Sequence, residues 1–298
     1  MTSKDSRYGE IRKILLLILV LNWSVALVKI IFGLCSRTSS ITADGFHSLS
    51  DGASNIIGLI GITFAAQPKD LDHPYGHKKY ETLFSLGIAA ALFLVCFNLV
   101  REGIHRIYHP VIPEVGLKSF LVMLMTLGIN LWVARYEAKK GKVLGSDILL
   151  SDAMHTKADI FTSLSVIIAL VVIRLGYPIL DPIATLLISL FIAHAAVVII
   201  KNSSRVLVDS AAIIDTEKIV DIVLSVKGVK TCHKIRSRGR PDDIHLDLHV
   251  QVAPEMHIDR AHKICYSIEE AIKKGMPEVT DVLIHIEPKE KTPTAPSE

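Results

Sequence analysis

The sequence has 298 residues, 50% of them hydrophobic, and its mean hydropathy is +0.42, which excludes an ordinary soluble domain. The formal net charge is only +3, so the composition gives no reason to expect a nucleic-acid partner. Several uncharged runs approach the ~20 residues that cross a bilayer, and the sequence therefore predicts a polytopic α-helical membrane protein.

Six apolar runs predict six transmembrane helices. They lie within 14–34, 40–67, 83–100, 119–134, 152–173 and 178–200. The first run is too long for a removable signal peptide, so we expect it to be a retained span. Lys and Arg are more frequent on the side of the amino terminus, and the positive-inside rule then predicts that both termini are cytoplasmic. We expect the protein to be integral to the cell (inner) membrane.

From about residue 206 the pattern becomes that of a small soluble domain. Periodicity predicts a helix from Asp215 to near Gly228, strands over 229–236, 244–252 and 282–286, and a helix over 258–274 between the last two strands. This order predicts an α+β fold with both helices on one face of the sheet. We expect a transmembrane transport domain over 1–205, a metal-binding dimerisation domain over 206–290, and a disordered tail over 291–298.

Two apolar runs each carry a histidine followed four residues later by an aspartate. These pairs are His47 with Asp51 and His155 with Asp159. Residues four apart lie on the same face of a helix, so each pair directs an imidazole and a carboxylate toward one point. Four such ligands would complete the tetrahedron that zinc favours. The alternative is polar contact between helices or a proton relay without metal. Asp152, near the end of its run, is explained equally well by capping or water access.

Two further groups of polar residues lie outside the apolar runs. Asp70, His73 and His77 cluster in a short loop, where the alternative to a metal site is an ordinary solvated turn. The C-terminal domain is rich in histidine, and Glu287 follows the last histidine by two residues. Its histidines are His233, His245, His249, His257, His262 and His285. Strand alternation puts His245 and His249 on one polar face, although surface histidines are common without metal.

Four motifs resemble those of the cation diffusion facilitators. They are His47-Ser48-Leu49-Ser50-Asp51, His73-Pro74-Tyr75-Gly76-His77, Met154-His155-Thr156-Lys157-Ala158-Asp159 and Leu283-Ile284-His285-Ile286-Glu287-Pro288. The resemblance extends over nearly the whole chain. It implies a homodimeric divalent metal/proton antiporter with six spans and a metallochaperone-like (ferredoxin-like) cytoplasmic domain.

The resemblance also implies specific site residues. The transport site falls on His47, Asp51, His155 and Asp159, and a loop site falls on Asp70, His73 and His77. The cytoplasmic site of the dimer falls on His233, His245, His285 and Glu287, with His262 as a bridging ligand. Lys79 and Asp209 match a charge pair between the membrane and soluble parts. Two departures are His47, where many bacterial members have Asp, and Glu287, which is often Asp in relatives.

These features together predict a transporter rather than an enzyme. The two-histidine, two-aspartate set resembles that of zinc-selective members, so we expect Zn²⁺ as substrate and regulator, and protons as the counter-ion. No nucleotide-binding motif is present in the sequence, which favours the proton gradient as the energy source. Two alternatives stay open: export of Fe²⁺, Mn²⁺ or Cd²⁺, and a membrane metal sensor or scaffold without flux.

Overall fold

The computed structural model describes residues 3–35, 39–108, 117–174, 180–212 and 216–289. Some side chains within these ranges lie outside the description, including those of His47 and Asp51. The predicted cap at Asp215 also lies outside the described residues. The chain divides into two compact units, Met1–Ser204 and Arg205–Glu298.

Six helices of the described residues make up the first unit, and the last of them continues three residues beyond it. They are α1 (Ser3–Cys35), α2 (Ser39–Ala65), α3 (Lys79–Tyr108), α4 (Leu117–Leu144), α5 (Asp147–Arg174) and α6 (Leu180–Leu207). Within the part of the chain that is described, four stretches are long and apolar enough to cross a membrane: Ser6–Ile31, Lys79–Tyr108, Phe120–Leu144 and Pro182–Leu207. Gly52–Ala65 of α2 is a shorter apolar stretch. The polytopic helical fold that the sequence predicts is thereby confirmed.

Close packing of α2 against its neighbours depends on Gly61, because glycine has no side chain. A Cβ added at Gly61 would lie 2.5 Å from Phe84 Cβ on α3 and 2.9 Å from Ile148 Cδ1 on α5. Apolar burial does not drive helices together within lipid, so small residues that permit close contact hold the bundle instead. Ile62 and Ile148 are fully buried beside this contact. Gly61 therefore allows α2 to pack closely against α3 and α5.

The helix α4 is longer than the sequence predicts. Its apolar run ends near Ala134, but the helix continues to Leu144 because the Lys-rich segment that follows also consists of good helix formers. Gly145, at φ 58°, ends it, and the Ser146 hydroxyl accepts a 3.3 Å hydrogen bond from the Leu149 N–H at the start of α5. The residues 139–142, expected in a loop, are therefore helical.

The second unit has the predicted order of helix, strand, strand, helix, strand. Its elements are α7 (Thr216–Leu224), β1 (Thr231–Arg240), β2 (Asp243–Val252), α8 (Ile258–Gly275) and β3 (Val279–Pro288). β2 lies in the centre of the sheet, antiparallel to β1 and parallel to β3. Ile219 and Val223 of α7 and Ile268 of α8 pack into one core with the buried face of β2. The opposite face of the sheet carries the polar side chains.

A β-bulge in β1 keeps His233 on that polar face. The register with β2 shifts between His233 and Arg236, and Lys234 lies between them with φ 51°. Cys232 and Ile235 both pack against the core in spite of their odd spacing. The extra residue therefore restores the alternation, and His233 lies beside its strand partner His249.

Candidate metal sites

The candidate transport site is built around a buried histidine on α5. The exposed fraction of His155 is 5%, and neither ring nitrogen has a hydrogen-bond partner among the described residues. Asp159 lies one turn further along α5 and is half-buried. Together with Ser48 and Thr156 it lines a cavity of about 20 Å³. This volume has room for one water molecule or ion. An imidazole and a carboxylate thus lie on one face of α5, and the carboxylate borders a small cavity.

A hydrogen bond between α2 and α5 sets the position of α2 along the helix axis relative to His155 and Asp159. The Asn55 side-chain amide of α2 donates to the Asp152 carboxylate of α5. The two helices run in opposite directions, because Gly58, further along α2, faces Ile148, which is earlier in α5. One turn before Asn55 is Asp51, and one turn after Asp152 is His155.

Helix geometry therefore brings the backbone of Asp51 to the level of His155, and that of His47 to the level of Asp159. The side chains of His47 and Asp51 are outside the described residues. The convergence of all four ligands accordingly stays a prediction.

Further polar residues are buried around this site, and the sequence analysis had singled out only Asp152 among them. Asn22 of α1 donates to Asn55 at 3.2 Å, and Thr156 of α5 donates to Glu137 of α4 at 3.1 Å. Glu137 and Asp152 are 0% and 1% exposed, and each retains one carboxylate oxygen that has no hydrogen-bond partner within the described ranges. Buried carboxylates are costly inside a membrane and mark functional paths. Glu137 was missed because it lies beyond the predicted end of the fourth span.

The structure brings together all three residues of the predicted loop site. One Asp70 oxygen lies 3.4 Å from His73 Nδ1 and the other 3.3 Å from His77 Nε2, with the ligand atoms of all three residues within 4.8 Å of one another. Gly76, at φ 95°, lets the loop turn back so that His77 faces His73. The backbone N–H of His73 donates to Asp70 and is the main cause that lowers the pKa of that carboxyl. The loop therefore presents an ionised carboxylate between two imidazoles.

A third cluster lies on the polar face of the C-terminal sheet. Glu287 of β3 lies 2.7 Å from His249 Nδ1 and 3.2 Å from His233 Nε2, and the ligand atoms of the three residues lie within 4.8 Å of one another. The hydrogen bond from His249 is the main cause that lowers the pKa of Glu287. Strand pairing explains the cluster, because His233, His249 and His285 are consecutive partners across β1, β2 and β3.

Of the other residues assigned to the C-terminal site, His285 borders this cluster, whereas His245 and His262 lie apart from it. The structure places His249, not His245, beside His233, since His245 is four residues away along β2, or ~13 Å. His285 is 64% exposed, with its ring 4.7 Å from His249 and its Nε2 3.8 Å from Glu287. His262 makes an edge-to-face contact with Tyr266 on α8. Because α8 covers the opposite face of the sheet, a single chain does not bring His262 to the cluster.

The predicted charge pair joins residues of different units. Lys79 is the first residue of α3 in the first unit, and Asp209 follows α6 in the second unit with φ 54°. The pairing of Lys79 with Asp209 therefore stays a prediction.

His245 has a different electrostatic role, which a pH experiment tests. A hydrogen bond with Asp243 is the main cause that raises its pKa, and Asp281, 3.5 Å away, adds to the effect. A raised pKa stabilises the folded domain below the ordinary histidine pKa, and this stabilisation is lost as the pH rises through the raised value. We expect metal-free wild-type domain to lose stability between about pH 6 and about pH 9, and His245→Gln to lose less. Urea unfolding of both proteins at the two pH values measures this, and equal losses would contradict it.

Comparison with known proteins gives a consistent result along the chain. Residues 15–208 match the model of the cation efflux transmembrane domain, and residues 213–289 match that of the cation efflux protein cytoplasmic domain. The chain is 31% identical to an uncharacterised transporter of Methanocaldococcus jannaschii, over 93% of this chain and 98% of that protein. It is 31% identical to metal tolerance protein C1 of Arabidopsis thaliana, over 96% of this chain and 64% of that protein. It is 28% identical to the manganese efflux system protein MneP of Bacillus subtilis, over 93% and 96%.

The two family models together cover nearly all of the six-helix unit and the α+β domain. The match to the archaeal transporter extends over almost the full length of both chains. The chain therefore belongs to the cation diffusion facilitator family of divalent metal efflux transporters.

Proposed function

We propose that the protein exports divalent transition-metal ions in exchange for protons, and that zinc is its principal substrate. The observation that carries this proposal is the state of His155, which is buried and has no hydrogen-bond partner at either ring nitrogen among the described residues. A buried polar group without a partner is costly unless a ligand satisfies it. A metal ion held by His155 and Asp159 would supply that partner.

The choice of zinc rests on the ligand set. Two imidazoles and two carboxylates give four nitrogen and oxygen ligands, which match the tetrahedral preference of Zn²⁺. The register set by Asn55 and Asp152 supports the assignment, because it brings the backbones of His47 and Asp51 level with the pair on α5. Manganese favours more oxygen ligands.

The same ligands account for proton coupling. Metal binding requires neutral imidazole and ionised carboxylate, so protons compete with metal for the same atoms. Protons that arrive from the far side of the membrane would displace the ion into that space. Tilting of the helices that carry the site would then expose it to each side in turn.

We propose further that the protein acts as a homodimer with both termini in the cytoplasm. The match of residues 213–289 to the cytoplasmic domain of cation efflux proteins supports this arrangement. Metal bound at His233, His249 and Glu287 would neutralise charge on that domain. It would thereby favour a dimer in which the two cytoplasmic domains lie closer together. The effect on transport would be graded, since a regulator shifts an equilibrium only by its difference in affinity for the two states.

The C-terminal cluster gives a direct comparison of two histidines on one strand. We expect His249→Ala to weaken zinc binding by the segment 206–289 about 10- to 100-fold, because it removes a ligand from the cluster. His245→Ala is the matched control and should bind zinc within about twofold of wild type, a change below 0.5 kcal/mol. Calorimetric titration measures both. If His245→Ala has the larger effect, the metal is held elsewhere on the sheet.

The similarity to MneP makes manganese the second candidate substrate. Vesicles that contain the purified protein and a metal-sensitive dye measure uptake of Zn²⁺ and Mn²⁺ under the same imposed pH gradient. We expect zinc to enter faster and to inhibit manganese uptake in competition. Faster manganese uptake would overturn the choice of metal and leave efflux intact, whereas binding without uptake of either ion would overturn transport.

A further inference from the structure

A groove with a volume of about 490 Å³ runs between α4 and α5 on the outer side of the bundle. It is lined by four cationic side chains, Arg135, Lys139 and Lys142 from α4 and Lys157 from α5. All four residues are exposed. Leu131 and Ile160 continue the groove as an apolar surface. The groove therefore combines a strongly positive part with an apolar part.

The helix geometry orders these two parts along the membrane depth. Arg135, Lys139 and Lys142 are spaced by four and three residues, so they form one stripe on α4. The bond between Thr156 and Glu137 brings Lys157 to the level of Arg135, because α4 and α5 are antiparallel. The turn at Gly145 lies at the Lys142 end of the groove. The apolar residues Leu131 and Ile160 therefore lie further from this end, toward the middle of the membrane.

The described part of the chain supplies no acidic partner for these charges. Among the described residues, none of the four cations forms an ion pair, and the lining of the groove contains no acidic side chain. Their neighbour Lys140 differs, since its Nζ lies 2.7 Å from Glu10. Like charges at these spacings repel one another. Together they attract an external anion. The groove thus presents a concentration of positive charge that an external anion could neutralise.

We propose that this groove binds an anionic phospholipid. The phosphate of the headgroup would lie among the four cations, and an acyl chain would lie along Leu131 and Ile160. Trp132, 54% exposed and stacked on Tyr136 at 5.3 Å, adds an aromatic pair of the kind found at the headgroup level. The cations lie at the end of the bundle where the positive-inside rule predicts the anionic cytoplasmic leaflet. Lys157 is two residues from His155, so the bound lipid would contact the helix that carries the transport site.

The test compares lipid binding to full-length variants with equal charge. The groove variant Arg135→Gln/Lys139→Gln/Lys142→Gln removes three exposed cations, and the control Arg12→Gln/Lys13→Gln/Lys201→Gln removes three exposed cations elsewhere. Native mass spectrometry counts retained phosphatidylglycerol against phosphatidylcholine, and thermal unfolding in detergent measures affinity. Each cation is worth about fivefold in affinity for an anionic lipid, so we expect about 100-fold weaker phosphatidylglycerol binding in the groove variant.

One further variant and one soluble ligand complete the test. Ala138→Trp fills the groove without changing its charge, and we expect it to lose phosphatidylglycerol as well. Soluble glycerol 3-phosphate should not stabilise the wild type, because it lacks the acyl chain. Phosphatidylglycerol binding that is equal in wild type and both groove variants, or lost equally in the control variant, would overturn the site. Stabilisation by glycerol 3-phosphate equal to that by phosphatidylglycerol would show a free phosphate site instead. These measurements do not depend on metal uptake, so failure of the lipid site and failure of the proposed transport are distinguishable.

Discussion

A His155→Ala variant is expected to lose divalent-metal flux by at least about 100-fold while it still inserts and folds. The imidazole is a buried metal ligand in our account, and its removal leaves the site with one nitrogen fewer. The fold should tolerate the change, because neither ring nitrogen bonds to a described residue that would be left without its partner. Zinc uptake into vesicles, normalised to the inserted protein, measures the loss.

The chain offers a matched control for this variant. His194 also lies on a membrane helix, α6, but it is exposed. His194→Ala should therefore transport at the wild-type rate. Flux of His155→Ala within about twofold of wild type, or an equal loss in the two variants, would remove His155 from the transport site.

The second large effect concerns the polar contact that sets the register of α2. We expect Asn55→Leu to lower the free energy of unfolding by about 2–3 kcal/mol, because Leu has a similar volume but leaves the Asp152 carboxylate without its donor. Zinc affinity should fall by about 10- to 100-fold as well, since Asp51 and His155 lose their common level. Thermal unfolding in detergent and calorimetric zinc titration measure the two effects.

Asn98→Leu provides the comparison, because Asn98 is an exposed asparagine on α3. It should change neither stability nor zinc affinity. If Asn55→Leu binds zinc as tightly as wild type, the bond to Asp152 is a packing feature and does not position the transport site.

Local patterns in the sequence were sufficient to predict most of the fold. The strict alternation from Ile244 to Val252 marks β2, and its apolar residues form the buried face in the structure. The position of α8 follows in the same way from its apolar stripe. The loop cluster of Asp70, His73 and His77 was also accessible from sequence, because its three residues lie within one turn-forming segment.

Features that depend on pairing between distant segments could not be predicted in this way. Alternation puts His245 and His249 on the same face, and only the register with β1, shifted by the bulge at Lys234, selects His249 as the neighbour of His233. The bond between Asn55 and Asp152 likewise joins two helices that are far apart in sequence. Glu137 was missed for a local reason, since its lysine-rich surroundings resemble a loop.

The exchange of metal for protons is tested most directly by following both ions in the same vesicles. Purified full-length protein is reconstituted, a pH gradient is imposed, and internal zinc and internal pH are recorded together. We expect zinc to accumulate against its own gradient and protons to leave as zinc enters. A proton ionophore should abolish both movements. Zinc accumulation that continues unchanged after the ionophore collapses the pH gradient would contradict proton exchange at the site of His155 and Asp159.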